Sequence, residues 1–271
     1  MTIAAWVTAL LLTAGADAQT APPPPPPPPV VVAPVPPPPP PPLAPPAPER
    51  DAKALAAVKK MSDRLQQAKT FSLKARVTME LPASGGVLAT FVNDASATVQ
   101  RPDKLAAVRS GDLPEFRFAY DGKTMTISTP GNGRWATAAA PPTLEAMLIA
   151  AGEQAGLSFP FDEILVADPY AVITRDLTQA TLVGQATLGG KKTDHVLLTS
   201  PRLELQLWND QATSLPVRVA VVYADSPLRP HFSIDYSEWK LDPKLPASTF
   251  ALTMPKGATP VEFRAAAATF R

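Results

Sequence analysis

The chain has 271 residues, of which 35 are proline and none is cysteine, and its 25 basic and 24 acidic residues leave a formal net charge of +1. Without cysteine, disulfides, thiolate metal sites, cysteine nucleophiles and cysteine-linked lipid anchors are excluded. The near-neutral charge gives no electrostatic reason to expect nucleic acid or an anionic membrane surface as a partner.

The N-terminus has the pattern of an export signal. An apolar run at residues 3–14 is followed by Ala16-Asp17-Ala18, a small-residue pattern typical of a secretory signal peptide cleaved after Ala18. We therefore predict a signal peptide at residues 1–18, a periplasmic location and no transmembrane span after cleavage. Because no Lys or Arg precedes the apolar run, an uncleaved anchor remains an alternative, as does a short buried helix.

Residues 19–48 are dominated by proline. Because proline fixes φ and has no amide hydrogen, this stretch cannot form a helix or a sheet. We predict an extended polyproline linker with a rise of about 3.1 Å per residue. Its lack of charge favours a passive spacer over a ligand for a proline-recognition domain. Residues 49–271 are then predicted to form one folded domain.

The folded domain is predicted to begin with an amphipathic helix and to continue with strands. Over residues 49–70, apolar residues recur at intervals of three and four, which predicts a helix. From Phe71 onward the period changes to two, which indicates half-buried antiparallel strands separated by turns such as Asp121-Gly122. Strands are predicted at 71–81, 87–100, 104–110, 115–120, 123–129 and from 134.

A helical insert separates these strands from a second set. Thr143 is a candidate N-cap for the first of three helical pieces, which are predicted near 143–151, 161–166 and 171–176. The later strands are predicted at 181–188, 191–199, 202–208, 217–223 and 232–236, with a final extended segment at 250–263.

This order of elements predicts the fold class. Short connections imply an antiparallel meander. One apolar face per strand implies a single large curved sheet whose concave face is covered by helices. The predicted fold is therefore α+β, an open antiparallel half-barrel with helices on its concave face.

Several motifs are similar to those of a known superfamily. RPDKL at residues 101–105, FAYDGKTMTISTP at 118–130 and Trp135 resemble the first half of the LolA/LolB-like lipoprotein-carrier superfamily, and within it a bacterial family of predicted periplasmic proteins of unknown function. The resemblance covers roughly residues 54–263. It continues in FDEILVADPYAVI at 161–173, LELQLWND at 203–210, LPVRVAVVYAD at 215–225 and FALTMPKGA at 250–258.

The resemblance implies a function as well as a fold. Relatives use the concave face to hold acyl chains of lipoproteins or other apolar ligands. No local motif identifies a ligand-contacting arginine in this chain, so that role is not transferred to any residue.

Candidate catalytic and metal-ligating groups are few. Asp162, Glu163 and Asp168 form the densest acidic cluster, and paired carboxylates can act as general acid and base. However, Asp168 precedes a proline, which favours a turn or a helix cap. His195 and His231 are not at metal-ligand spacing, and no nucleophile elbow or phosphate-binding loop occurs. We therefore expect no enzyme activity, no metal and no cofactor.

Aromatic residues distributed over the predicted strands are candidates for a ligand cavity. They either pack an ordinary core or line an apolar cavity with room for a ligand. Trp208 is out of phase with Leu205 and Leu207, which places it on the other face of the sheet or at a bulge. The candidate cavity residues are Phe91, Phe118, Tyr120, Trp135, Trp208 and Tyr223.

Three functions are compatible with these patterns. The first is an exported, non-enzymatic carrier for a lipid, an acyl chain or a lipidated protein, held by burial of apolar surface. The second is a cell-envelope scaffold on a proline-rich spacer, which predicts a filled concave face. The third is a hydrolase, which requires two of Asp162, Glu163 and Asp168 to face one pocket. A monomer is the expected oligomeric state.

Overall fold

The computed structural model describes residues 49–254 and 256–264. The predicted signal peptide at 1–18 and the predicted linker at 19–48 lie outside the described residues. Across these two ranges, no helix combines the length and apolar character needed to cross a membrane.

The first half of the fold is a helix followed by a meander of six strands. Asp51 caps the helix by accepting a hydrogen bond from the backbone amide of Lys53. These elements are α1 (Ala52–Gln67), β1 (Thr70–Pro82), β2 (Leu88–Gln100), β3 (Lys104–Gly111), β4 (Phe116–Tyr120), β5 (Thr124–Thr129) and β6 (Arg134–Ala139).

A helical insert and a second meander follow. As predicted, Thr143 is the N-cap of the first helix of the insert, where it accepts a hydrogen bond from the amide of Ala146. The elements are α2 (Leu144–Ala155), α3 (Pro169–Thr174), β7 (Gln179–Leu188), β8 (Lys191–Thr199), β9 (Leu203–Asp210), β10 (Pro216–Tyr223), β11 (His231–Leu241) and β12 (Thr259–Pro260).

Two predicted elements are shorter than expected. The helical piece predicted at 161–166 is a single 3-10 turn, Asp162–Ile164, which follows Phe161 in the left-handed region (φ 56°). The extended segment predicted at 250–263 contains only the two-residue strand β12, because Phe250 ends a 3-10 turn and a Lys-Gly turn follows.

All strands join in one sheet of twelve, in the order β12-β6-β5-β4-β3-β2-β1-β11-β10-β9-β8-β7. Every neighbouring pair is antiparallel except β12 with β6. β1 lies in the middle, because it pairs with β2 on one side and with β11 on the other. The sheet is open, with β7 and β12 at its edges, which confirms the predicted open half-barrel with helices on its concave face.

The side-chain alternation separates a concave apolar face from a convex polar face. In β1, Leu73, Ala75 and Val77 are buried, whereas Lys74 and Arg76 between them are exposed. α1 covers the part of the concave face formed by β7 and β8, and its inward residues are completely buried. Those residues include Val58, Met61 and Leu65. We call this region the packed half.

Candidate ligand cavity

A cavity of about 430 Å³ lies between the concave face and the chain that follows α2. Its walls are strands β1, β2, β3 and β11, and its cover is formed by residues 156–165, here called the cover segment. The volume falls within the range of about 300–1,000 Å³ typical of small-molecule sites. We call this part of the concave face the cavity half.

Small side chains at inward positions make this cavity. Ala75 of β1 pairs with Ala95 of β2, and in the next row Ala97 of β2 pairs with Ala107 of β3. All four alanines line the cavity. Larger side chains at these positions would fill the space, as they do in the packed half, so the four alanines form the floor of the cavity.

The cover segment contains little regular structure. It starts at Gly156, which ends α2 in the left-handed conformation (φ 62°). The ring of Phe159 meets that of Phe118 edge-on at 5.2 Å and that of Phe116 at 6.1 Å. Aromatic contacts of Phe159 therefore hold the middle of the segment over the floor.

The distal end of the cover segment is fixed by Arg101. Its Nη1 atom donates hydrogen bonds to the carbonyl oxygen of Leu165, at 2.9 Å, and to that of Val166. The guanidinium lies 5.6 Å from the centre of the Phe71 ring. Burial lowers the pKa of Arg101, and the nearby Glu145 carboxylate partly opposes this. Arg101 belongs to the RPDKL motif at residues 101–105, but its contact with the cover segment was not predicted from the sequence.

A second arginine, Arg109, lines the cavity. Its Nη2 atom donates to the carbonyl oxygen of Pro114 at 3.0 Å, and its guanidinium lies 5.3 Å from the centre of the Phe116 ring. Its Nε atom is buried, with no hydrogen-bond partner among the described residues. Burial lowers the pKa of Arg109. Sequence analysis missed this residue, although its inward phase on β3 was a usable signal.

Two tyrosines contribute polar atoms to the cavity wall. The Tyr236 hydroxyl is buried without a hydrogen-bond partner in the described part of the chain. Burial and the Glu163 carboxylate raise the pKa of Tyr236 well above its usual range. Tyr223 is 42% exposed, and burial, followed by Glu163 and Asp162, raises its pKa.

The structure places only one of the six predicted cavity residues on the wall, namely Tyr223. Phe118 and Tyr120 are completely buried in the core. Phe118 reaches the cover segment through Phe159, and the Tyr120 hydroxyl donates to the Pro141 carbonyl oxygen. These large rings fill the concave face beside the cavity.

The other three candidates also lie away from the cavity wall. Phe91 is not part of the wall but pairs with Met79, which is, near the hairpin end of β1 and β2. Trp135 is out of phase with the buried Ala136 and faces the convex side. Trp208 also lies on the convex side, as its phase indicated, and stacks on His195 with the ring centres 4.2 Å apart.

The acidic candidates do not form a pair facing the cavity. Asp162 and Glu163 are absent from its wall, and Asp168 caps α3 by accepting from the amide of Ala171. Burial, together with the Glu163 carboxylate, raises the pKa of Asp162 to about 6. Burial also raises the pKa of Glu163.

His231 reaches the wall of the cavity but is already engaged. Its Nδ1 atom lies 2.9 Å from a carboxylate oxygen of Glu80. Within residues 49–254 and 256–264, no group of three or more potential metal ligands comes together.

The chain belongs to the family described as "Predicted periplasmic protein (DUF2092)", which it matches over residues 54–264. This match confirms the family indicated by the sequence motifs, and it agrees with the predicted periplasmic location. A comparison with curated protein sequences gives no match.

Solved structures show more distant similarities. The Pseudomonas aeruginosa MucA/MucB complex is 16% identical with a TM-score of 0.41, covering 71% of this chain and 59% of that chain, so this chain spans less than two thirds of it. The Mycobacterium tuberculosis lipoprotein LppX is 14% identical with a TM-score of 0.44, covering 70% of this chain and 96% of that chain. A LolA superfamily protein from Nitrosomonas europaea is 11% identical with a TM-score of 0.32, covering 73% of this chain and 97% of that chain.

Proposed function

We propose that this member of the DUF2092 family is a non-enzymatic carrier that binds a lipid, an acyl chain or the acyl chain of a lipidated protein. The observation that carries the proposal is the cavity of about 430 Å³ over the alanine floor. A scaffold with a filled concave face would need no such space. Binding an apolar chain also requires no catalytic group.

The chemistry of the cavity wall supports an apolar ligand. Besides the alanines, the wall contains Leu73, Leu105 and Phe161, all of which are buried. Burying apolar surface contributes about 25 cal/mol per Å², and sites of this kind need only a few polar groups to orient the ligand. The cover segment, fixed at its distal end by Arg101, gives the ligand a boundary that is not part of the sheet.

The direct test is to look for the ligand. The purified protein is extracted with organic solvent and analysed by mass spectrometry, and delipidated protein is titrated with an acyl fluorophore. We expect a stoichiometric lipid, a saturable increase in fluorescence, or both. If neither is found, the proposal is wrong.

A matched pair of variants tests whether binding occurs in the cavity. Ala97→Phe places a ring on the floor of the cavity and is expected to weaken fluorophore binding roughly tenfold or more, since the apolar surface that the ligand contacts is lost. Ala106→Phe makes the same change on β3 at a position that pairs with Thr98 and Ala119 on the convex side. Equal loss of binding in both variants would contradict a cavity site.

The N-terminal organisation forms part of the same proposal. Residues 1–18 would be removed on export, and residues 19–48 would act as a spacer before the carrier domain. Mass spectrometry of the mature protein tests this, with an expected start at Gln19. A retained Met1 would support the anchored alternative instead.

A further inference from the structure

The wall of the cavity carries one cation that the apolar character of the site does not explain. Arg109 lies on the inward face of β3, between Ala95 of β2 and Phe116 of β4. It is two residues from Gly111, where β3 ends, and the nearby Leu113 also lines the cavity. Arg109 therefore lies near one end of the cavity, with the alanine floor directly beside it.

The charge of Arg109 is not neutralised by the protein. Among the described residues it makes no ion pair, whereas Arg76 and Arg218 on the convex face pair with Asp94 and Asp235. A buried charge normally has an ionic partner, because moving it out of water without one is costly. Arg109 is partly buried on the cavity wall and has no ionic partner among the described residues.

Nearby acids do not reach this guanidinium. Burial is the cause that lowers the pKa of Arg109, whereas Glu163 raises the pKa of both Tyr223 and Tyr236, and Asp162 raises that of Tyr223. Glu80, the carboxylate on the cavity wall, is paired with His231. An anion is therefore missing beside Arg109, and the ligand can supply it.

We propose, building on the carrier function above, that the ligand is a single-chain amphiphile with a carboxylate head, such as a fatty acid, and that Arg109 binds that carboxylate while the chain lies on the alanine floor. The planar guanidinium fork suits a carboxylate, which it can bind through two parallel hydrogen bonds. Its Nη2 bond to Pro114 and its contact with Phe116 hold the fork in place before the ligand arrives.

The number of charges favours a carboxylate over a phosphate. Arg109 and His231 are the basic residues among those lining the cavity, and His231 is engaged with Glu80. One unpaired guanidinium matches a head of charge −1, whereas a phosphate monoester carries about −1.5 to −2 at neutral pH. The ester- or amide-linked acyl chains of a lipidated protein lack a free carboxylate and would gain nothing from Arg109.

The test compares two probes that differ only in the head group. Palmitate and the neutral alcohol of the same chain length are titrated against delipidated full-length protein and against Arg109→Met. Because hydrogen bonds to charged groups are strong, we expect the unaltered protein to prefer palmitate by roughly tenfold to a hundredfold. Arg109→Met is expected to lose this preference and to bind the alcohol as before. Arg76→Met, which removes an arginine from the convex face of β1, is expected to keep it.

A second measurement reports on the charge of the bound head group rather than on its affinity. NMR of palmitate labelled at its carboxyl carbon reports the pKa of the bound head group. We expect this pKa to lie below that of palmitate bound to Arg109→Met, because a neighbouring guanidinium favours the charged form.

The outcomes separate this inference from the carrier proposal. Equal affinity of the unaltered protein for palmitate and the alcohol, or a preference that survives in Arg109→Met, overturns the role of Arg109 and leaves the carrier function intact. If neither palmitate, nor the alcohol, nor the acyl fluorophore binds, the carrier function itself is overturned. If lysophosphatidate binds more tightly than palmitate, the head group of the ligand is a phosphate and not a carboxylate.

Discussion

The two halves of the concave face follow the same alternating pattern but differ in how space is used. In the packed half, Val58, Met61 and Leu65 of α1 cover inward residues of β7 and β8, and all three are completely buried. In the cavity half, four alanines face an irregular cover segment across about 430 Å³. Hydrophobic patterning thus sets the fold on both sides, whereas side-chain volume decides which side contains a cavity.

The largest expected difference between the halves concerns truncation of a large side chain. Leu65→Ala is expected to lower the free energy of unfolding by about 2–5 kcal/mol, because it leaves a cavity in a tightly packed interior. Leu157→Ala, in the cover segment, is expected to cost less, because Leu157 is only partly buried. Urea denaturation monitored by circular dichroism measures both. Similar losses would show that the two halves are packed alike.

An insertion of side-chain volume should also destabilise the packed half more than the cavity half. Ala180→Phe introduces a ring at a buried position of β7 and is expected to cost about 1–3 kcal/mol through overpacking. Ala97→Phe makes the same change on the floor of the cavity, where space is available, and is expected to cost less than 1 kcal/mol. Urea midpoints of the two variants check this. A larger loss for Ala97→Phe would contradict the assigned cavity.

The smallest expected effect concerns the charge on the cover segment. Burial and Glu163 raise the pKa of Asp162 from 3.8 to about 6, so the folded state favours the protonated carboxyl. Between about pH 4 and pH 6 the folded protein retains a proton that the unfolded chain has released, and the free energy of unfolding therefore falls as the pH rises through this window. Above this pH window the free energy of unfolding stays at its lower value.

Asp162→Asn removes this dependence. The variant is expected to be about 1–2 kcal/mol more stable than the unaltered protein at pH 8, with the difference shrinking below pH 4. Thermal or urea unfolding across this pH range measures the effect. Parallel stability curves for the two proteins would show that Asp162 does not resist ionisation in the fold.

The sequence was sufficient to predict most of the architecture. Alternation in β1, the Thr143 cap and the convex position of Trp208 all depend on residues close to each other in the chain, and local patterns specify such features. The 3-10 turn at Asp162–Ile164 was harder to predict. The apolar residues around it resemble a short helix, but the structure forms only one turn, which follows Phe161 in the left-handed region.

The cavity could not be located in the same way. Sequence reasoning selected large aromatic residues, but the space exists because the floor carries small side chains, at pairs such as Ala75 with Ala95. Recognising that floor requires the register of three neighbouring strands. Likewise, whether Arg109 has an ionic partner depends on all the elements packed around it, so no single segment of the sequence could reveal it.

The central position of β1 constrains the order in which the molecule can be assembled. Phe71 pairs with Leu241, and Ser237 donates a hydrogen bond to the Lys74 carbonyl oxygen across 163 residues of chain. In a polypeptide that emerges N-terminus first into the periplasm, one edge of β1 waits unpaired until β11 arrives. Exposed strand edges promote aggregation, and distant pairing slows folding. The two meanders can therefore join through β1 and β11 only when almost the whole domain has been secreted.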